Sequence, residues 1–210
     1  MGRGLPAAWS ALFSVPFFLV AAYVYAGGTG YPTILAVPFA AFGVFIIAIG
    51  AFVQVVKPSE PRLQDGEEIL EKRQPTQRVA TVKIVIGLPL FISTVYLLFF
   101  TRLPYVYPTL TLFSGLYYFS SGLYTYWTNS LTQYYITTNR VIKEYRFLSL
   151  IRQEVPLSKV RGVQERKSIT ETLVGLGNVR VASGGGGSLE VVMSNMENSE
   201  RFADTVRELI

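Results

Sequence analysis

Residues 125–147, TYWTNSLTQYYITTNRVIKEYRF, hold the change of pattern that decides the fold. From Val106 to Trp127 the chain is uncharged, aromatic and rich in small residues. From Thr132 to Thr138 (Thr-Gln-Tyr-Tyr-Ile-Thr-Thr) β-branched and aromatic residues dominate, which suits a pleated strand. Asn139-Arg140 then offers a turn, and Val141–Phe147 a second strand. An apolar helix therefore gives way to a β-hairpin, with only residues 128–131 between them. So short a link expects the two parts to move together.

Working backward, the chain has four apolar stretches: 9–26, 33–56, 80–100 and 106–127. Each approaches or exceeds the ~20 residues a helix needs to cross a bilayer. Residues 7–56 contain no Asp, Glu, Lys or Arg. The first stretch could be a secretory signal, but it lacks a clear small-residue cleavage site and a second apolar stretch follows closely, so a retained span is expected. Basic residues set the orientation. Lys57, Arg62, Lys72, Arg73, Arg78 and Lys83 cluster in 57–83, and eleven more Lys and Arg follow residue 128, whereas 27–32 carries no charge and the 101–105 turn only Arg102. The positive-inside rule then places the N-terminus, the 57–79 loop and the 128–210 tail in the cytoplasm of a multi-pass cell-membrane protein. Trp9 and Trp127 fall at the inner interface, and Tyr31, Tyr105 and Tyr107 at the outer one. Ala36, Ala40, Gly43 and Gly50 on the second stretch, with Ser114, Gly115, Ser121 and Gly122 on the fourth, let helices approach closely. Pro16, Pro38 and Pro89 are expected to bend three of the helices. The tyrosines at 117, 118, 124 and 126 are expected at lipid-facing and interfacial positions.

Working forward, residues 149–155, Val160–Lys167, Asn178–Ser183 and Ser188–Ser194 read as further strands. The runs Gly175-Leu176-Gly177 and Gly184–Gly187 read as hairpin turns. A phosphate-cradling loop would need a helix after the glycines, and a strand follows instead. The chain closes with an amphipathic helix from Ser199 to Ile210, capped by Asn198 or Ser199, with Phe202, Val206 and Leu209/Ile210 on its apolar face. Glu67, Glu68 and Glu71 beside Lys72 and Arg73 read as a helix laced by ion pairs rather than as an acid/base pair.

Composition removes whole classes of function. The 210 residues include no cysteine and no histidine, and only 16% are charged. Disulfides, thiolate nucleophiles, haem-histidine ligation, Cys/His zinc sites and His-based triads are excluded. No catalytic, cofactor-binding or metal-binding residue is identified, and no small-molecule substrate. A net charge of +5 is too small and dispersed for nucleic acid. Spans with charges only near their ends (Lys83, Arg102) argue against a transporter or channel component, the alternative membrane function. Lys143, Arg146 and Arg152 could face lipid headgroups or a partner, although Glu144 and Glu154 interleave with them and a solvated face is the simpler account.

Three blocks in the tail resemble the membrane-tethered bacterial and archaeal PH-like domain family. Tyr135-Ile136-Thr137-Thr138-Asn139-Arg140-Val141-Ile142 is similar to its Tyr-x-Thr-x-x-Arg opening hairpin. Val155-Pro156-Leu157-Ser158-Lys159-Val160 is similar to its apolar-Pro-Leu block. Leu176-Gly177-Asn178-Val179-Arg180-Val181 is similar to its Gly-x-apolar-x-apolar strand. Asp65-Gly66-Glu67-Glu68-Ile69-Leu70, with Arg73 and Pro75, resembles the segment preceding a helix pair in such proteins. The resemblance covers 65–210 and leaves 1–64 unmatched. It implies an all-β split barrel of about seven strands plugged by a C-terminal helix, without catalytic activity. It also implies assembly with protein partners or further copies of the chain. Headgroup binding, as in eukaryotic relatives, would use the basic first hairpin, where Lys143 and Arg146 stand here. The expected protein is thus a non-enzymatic membrane scaffold or accessory subunit, with a lipid-headgroup sensor as the other alternative.

Overall fold

The computed structural model describes residues 5–27, 30, 32–56, 60–147, 149–167, 172, 175–184 and 190–210. The chain forms two compact units. One contains the residues before 56 together with 80–127, and the other residues 56–79 together with 128–210.

The first unit is helical. Its helices are α1 (Pro6–Tyr25), α2 (Ala36–Val55), α3 (Arg78–Phe100) and α4 (Val106–Ser130). Three helices among the described residues are long and apolar enough to cross a membrane: Pro6–Tyr25, Thr33–Val55 and Arg78–Phe100. The fourth, α4, is the longest at 25 residues, but its Tyr, Ser and Thr content keeps it out of that set. Phe17 lies at the centre, 1% exposed, with its ring against Phe42 of α2, Phe91 of α3 and Phe119 of α4 at 4.8, 4.5 and 5.4 Å. The small residues act as expected where backbones meet. A Cβ on Gly87 would stand 2.3 Å from the Phe119 nitrogen, one on Gly115 2.7 Å from the Phe91 nitrogen, and one on Gly122 2.9 Å from the Ile84 nitrogen. Pro16 and Pro89 lie inside their helices. Pro38 does not, because α2 begins at Ala36 after a 3-10 turn (Thr33–Leu35), so this proline occupies the first turn, where its missing N–H costs nothing. Tyr31 and Lys57-Pro58 lie outside the described residues.

The second unit is built from two antiparallel sheets. The first has the order β1-β2-β3-β4 (Ile69–Arg73, Thr132–Thr137, Arg140–Arg146, Leu150–Pro156). The second has β5-β6-β7 (Val160–Arg166, Leu176–Ser183, Glu190–Glu197). A 3-10 corner, Leu157–Lys159, carries the chain from one sheet to the other. The C-terminal helix α5 (Ser199–Glu208) closes the core with Phe202, Ala203 and Val206. These pack with Tyr134, Ile136, Val141, Val155, Val179, Val181, Val191 and Met193. Seven strands among the described residues and a closing helix agree with what the resemblance implied.

Several expectations need correction. Residues 69–73 form strand β1 rather than part of an ion-paired helix, pairing with β2 through Ile69↔Thr137 and Arg73↔Tyr134. Its charges suit an edge strand, where one side stays in water. As a result α3 and α4 interrupt the sheet between its first and second strands. Arg140 belongs to β3, not to the turn. Leu209 and Ile210 are 37% and 60% exposed, because α5 ends at Glu208 and its buried face is completed by Ala203 instead. Asn198 holds the N-cap position with no side-chain cap bond, and the Ser199 hydroxyl goes to the Glu165 carboxylate. Of the tyrosines on α4, Tyr117, Tyr118 and Tyr124 are exposed and Tyr126 is buried. Gly175, at φ +70, turns the chain into β6, whereas 185–187 of the second glycine run lie outside the described residues.

Candidate functional site

The most concentrated polar chemistry of the β unit lies on the outer face of the first sheet. It gathers where the β2–β3 hairpin turns. Strand alternation explains the placement. Tyr134, Ile136 and Val141 point to the core, so Thr137, Arg140, Ile142 and Glu144 point the other way. Val141↔Val155 pairing then sets Arg140, Glu154, Glu144 and Arg152 on that same outer face.

Glu67 sits at the centre of this cluster, with its side chain fully buried. Its carboxylate accepts from Arg140 Nε and Nη2, both at 2.9 Å, from the Thr137 hydroxyl at 2.6 Å and from the Gln64 N–H at 2.8 Å. The Thr137 hydroxyl in turn accepts from the Arg140 N–H at 3.0 Å. The same guanidinium donates to Glu154 and to the Arg62 carbonyl, the latter at 2.7 Å. The Arg140 hydrogen bonds outweigh desolvation and hold the Glu67 carboxyl down at about 2. A carboxylate so low and so fully bonded stays ionised at neutral pH and cannot serve as a proton acceptor there. The cluster is therefore a clasp. It fastens the segment leading into β1 to the hairpin of β2 and β3.

The three basic residues singled out from the sequence are not brought together. Lys143 lies on the core-facing side of β3, opposite Tyr134, and its Nζ donates to the Val192 carbonyl of β7 at 2.7 Å. Burial pulls its pKa down. Arg152 lies on the outer face, where its Nε donates to the buried Glu144 carboxylate at 2.6 Å. Arg146 is exposed at the end of β3. One lysine linking two sheets, one arginine balancing a buried acid and one exposed arginine do not make a shared basic surface.

A second polar link lies inside the core. The Tyr134 hydroxyl accepts from the Ser194 N–H at 3.0 Å, tying β2 to β7, and burial pushes its pKa up to about 12. Sequence reading took Glu67 for part of an ion-paired helix and passed over Tyr134. The available signal for Glu67 was its place in one family-like block while a complementary arginine, Arg140, stood in another.

Two antiparallel sheets and a closing C-terminal helix are compatible with a PH-type unit. The Bacterial PH domain family model matches residues 82–210, and the chain belongs to that family. The match takes in most of α3, all of α4, β2 to β7 and α5, and leaves out β1. No curated protein and no solved structure matches the chain.

Proposed function

We propose that the chain is a four-span membrane protein with both termini in the cytoplasm, acting without catalysis as a scaffold or accessory subunit whose PH-type unit docks a protein partner. The observation that carries this reading is the interrupted sheet. Strand β1 precedes α3 and strand β2 follows α4, so a helical hairpin leaves and re-enters one folded unit. Such a unit is tethered at two points, which suits a device that holds a partner at a membrane.

Reading α4 as the fourth span is supported by the absence of any charged residue from Val106 to Ser130 and by the exposure of Leu110, Phe113 and Tyr117 along it. The distribution of Lys and Arg supports the orientation. A non-catalytic role is supported by the saturated hydrogen bonding of Glu67. For the partner, β1 offers a sheet edge with Ile69 and Leu70 exposed, a place where an added strand can pair.

Mild-detergent purification from native membranes, with identification of co-purifying chains, tests the reading. A stoichiometric companion is expected, and a protein that emerges alone and monomeric overturns it. Orientation is tested separately. The chain has no native cysteine, so Thr29→Cys and Asn139→Cys can be labelled from outside intact cells. Labelling of the first only is expected, and labelling of the second refutes the topology.

A further inference from the structure

One pole of the β unit collects the crossings from β1 to α3 and from α4 to β2. Arg73, the last residue of β1, pairs beside Tyr134 near the start of β2, and Thr76 donates its N–H to Asn195 of β7 at 2.8 Å. Asn129, in the last turn of α4, donates from Nδ2 to the Thr76 carbonyl at 2.9 Å. Leu131 alone separates α4 from β2, and its carbonyl accepts from the Arg146 N–H at 3.1 Å. The far ends of β3 and β4 therefore stand beside the residue at which the chain leaves α4. At this same end Leu150 and Ile151 of β4 are 54% and 48% exposed, next to exposed Arg146. Two adjacent exposed aliphatic residues at the start of a strand leave apolar area in water with no benefit to the fold.

We propose that this end of the β3–β4 hairpin is a membrane-surface contact, in which Leu150 and Ile151 enter the interfacial layer of the bilayer and Arg146 meets anionic lipid phosphate. The inference rests on the reading of α3 and α4 as spans. Chain continuity supplies the argument: Thr76 is two residues from the start of α3, and Leu131 immediately follows α4. At ~3.5 Å per residue this pole stays close to the ends of both helices. An aliphatic pair flanked by arginine matches the bilayer interface, where apolar side chains and cations both find partners. The contact differs from headgroup capture by a basic pocket, because Lys143 and Arg152 are spent inside the unit.

The full chain is reconstituted singly into phosphatidylcholine nanodiscs with and without phosphatidylglycerol. It carries an environment-sensitive fluorophore at one cysteine: Leu150→Cys, Ile151→Cys, Asn139→Cys at the opposite pole, or Phe113→Cys on α4. Blue-shifted emission and loss of intensity to headgroup-level spin-labelled lipid are expected at 150 and 151 and not at 139. Arg146→Gln is expected to weaken quenching at 150 in the anionic discs only. If 113 is quenched by deep spin labels while 150 behaves like 139, the contact is refuted and the spans stand. If 113 is not in lipid, the span reading falls and the contact with it. Equal quenching at 150 with and without Arg146 in anionic discs refutes the part assigned to that arginine.

Discussion

The helical unit and the β unit solve the same packing problem with different means. In the helical unit contacts run backbone to backbone at glycine, and ring to ring around Phe17. Polar links between its helices include Trp127 Nε1 donating to Ser10 at 3.1 Å, Thr94 to Thr111 at 2.9 Å and Lys83 to Ser121 at 3.0 Å. In the β unit an aliphatic core is supplemented by a buried ion pair, Glu67–Arg140. The difference follows from solvent. Lipid gives apolar side chains no reason to leave it, so helices associate through shape. Water drives burial of the β unit's core, and a charge taken inside must be paired.

Substitutions that exchange these means test the comparison. Arg140→Ala has the largest expected effect. It leaves the Glu67 carboxylate buried without its cation, a change that costs on the order of 3–5 kcal/mol. Hydrogen exchange should show β1 losing protection while α3 and α4 keep theirs; equal loss in both units would refute the local clasp. The same pair fixes an acid response. The Glu67 pKa is depressed in the folded chain, so its contribution is complete above the ordinary value of 4.5 and is lost as pH falls towards about 2. Arg140→Ala should flatten the stability slope in that window.

Gly87→Val comes next. Its added carbons meet the backbone of α4 at Phe119, so a cost of about 1–3 kcal/mol from overpacking is expected, read as an earlier loss of helicity in a denaturing-detergent titration. An unchanged midpoint would mean that α3 and α4 do not approach through glycine. Tyr134→Phe removes the hydroxyl that receives the Ser194 N–H and should cost about 1 kcal/mol, seen as faster exchange at β7. Thr94→Ala deletes a bond between α3 and α4 and, on the proposed reading of both as spans, should cost only about 0.6 kcal/mol. If it cost more than Tyr134→Phe, the contrast drawn between the units would be reversed.

How much of this was legible in the sequence follows from the range of each interaction. The hairpin at 132–146, the Pro156 corner, β6 and α5 all announce themselves through local pattern, and each stands where the pattern placed it to within a few residues. Strand β1 did not. Its residues, Ile-Leu-Glu-Lys-Arg, carry no alternation of apolar and polar types, and its partner strand lies beyond two helices. What makes it a strand is pairing with β2, a non-local fact. The clasp was hidden for the same reason, since Glu67 and Thr137 stand 70 residues apart. The separation of Lys143 from Arg146 was accessible in principle. Residues 143 and 146 have opposite parity on one strand, so they cannot share a face. The register that put Arg152 beside Glu144 was not accessible, because the hairpin length decides it.

The interrupted sheet also dictates an order of assembly. As the chain is synthesised, β1 appears first and has nothing to pair with until two helices have been made and β2 follows them. The Glu67 carboxylate stays solvated through that interval and is desolvated only when Arg140 arrives. Completion of the β unit thereby reports that α3 and α4 have been made and their ends brought side by side. A chain halted before residue 132 would retain an open, unpaired strand that proteolysis can recognise.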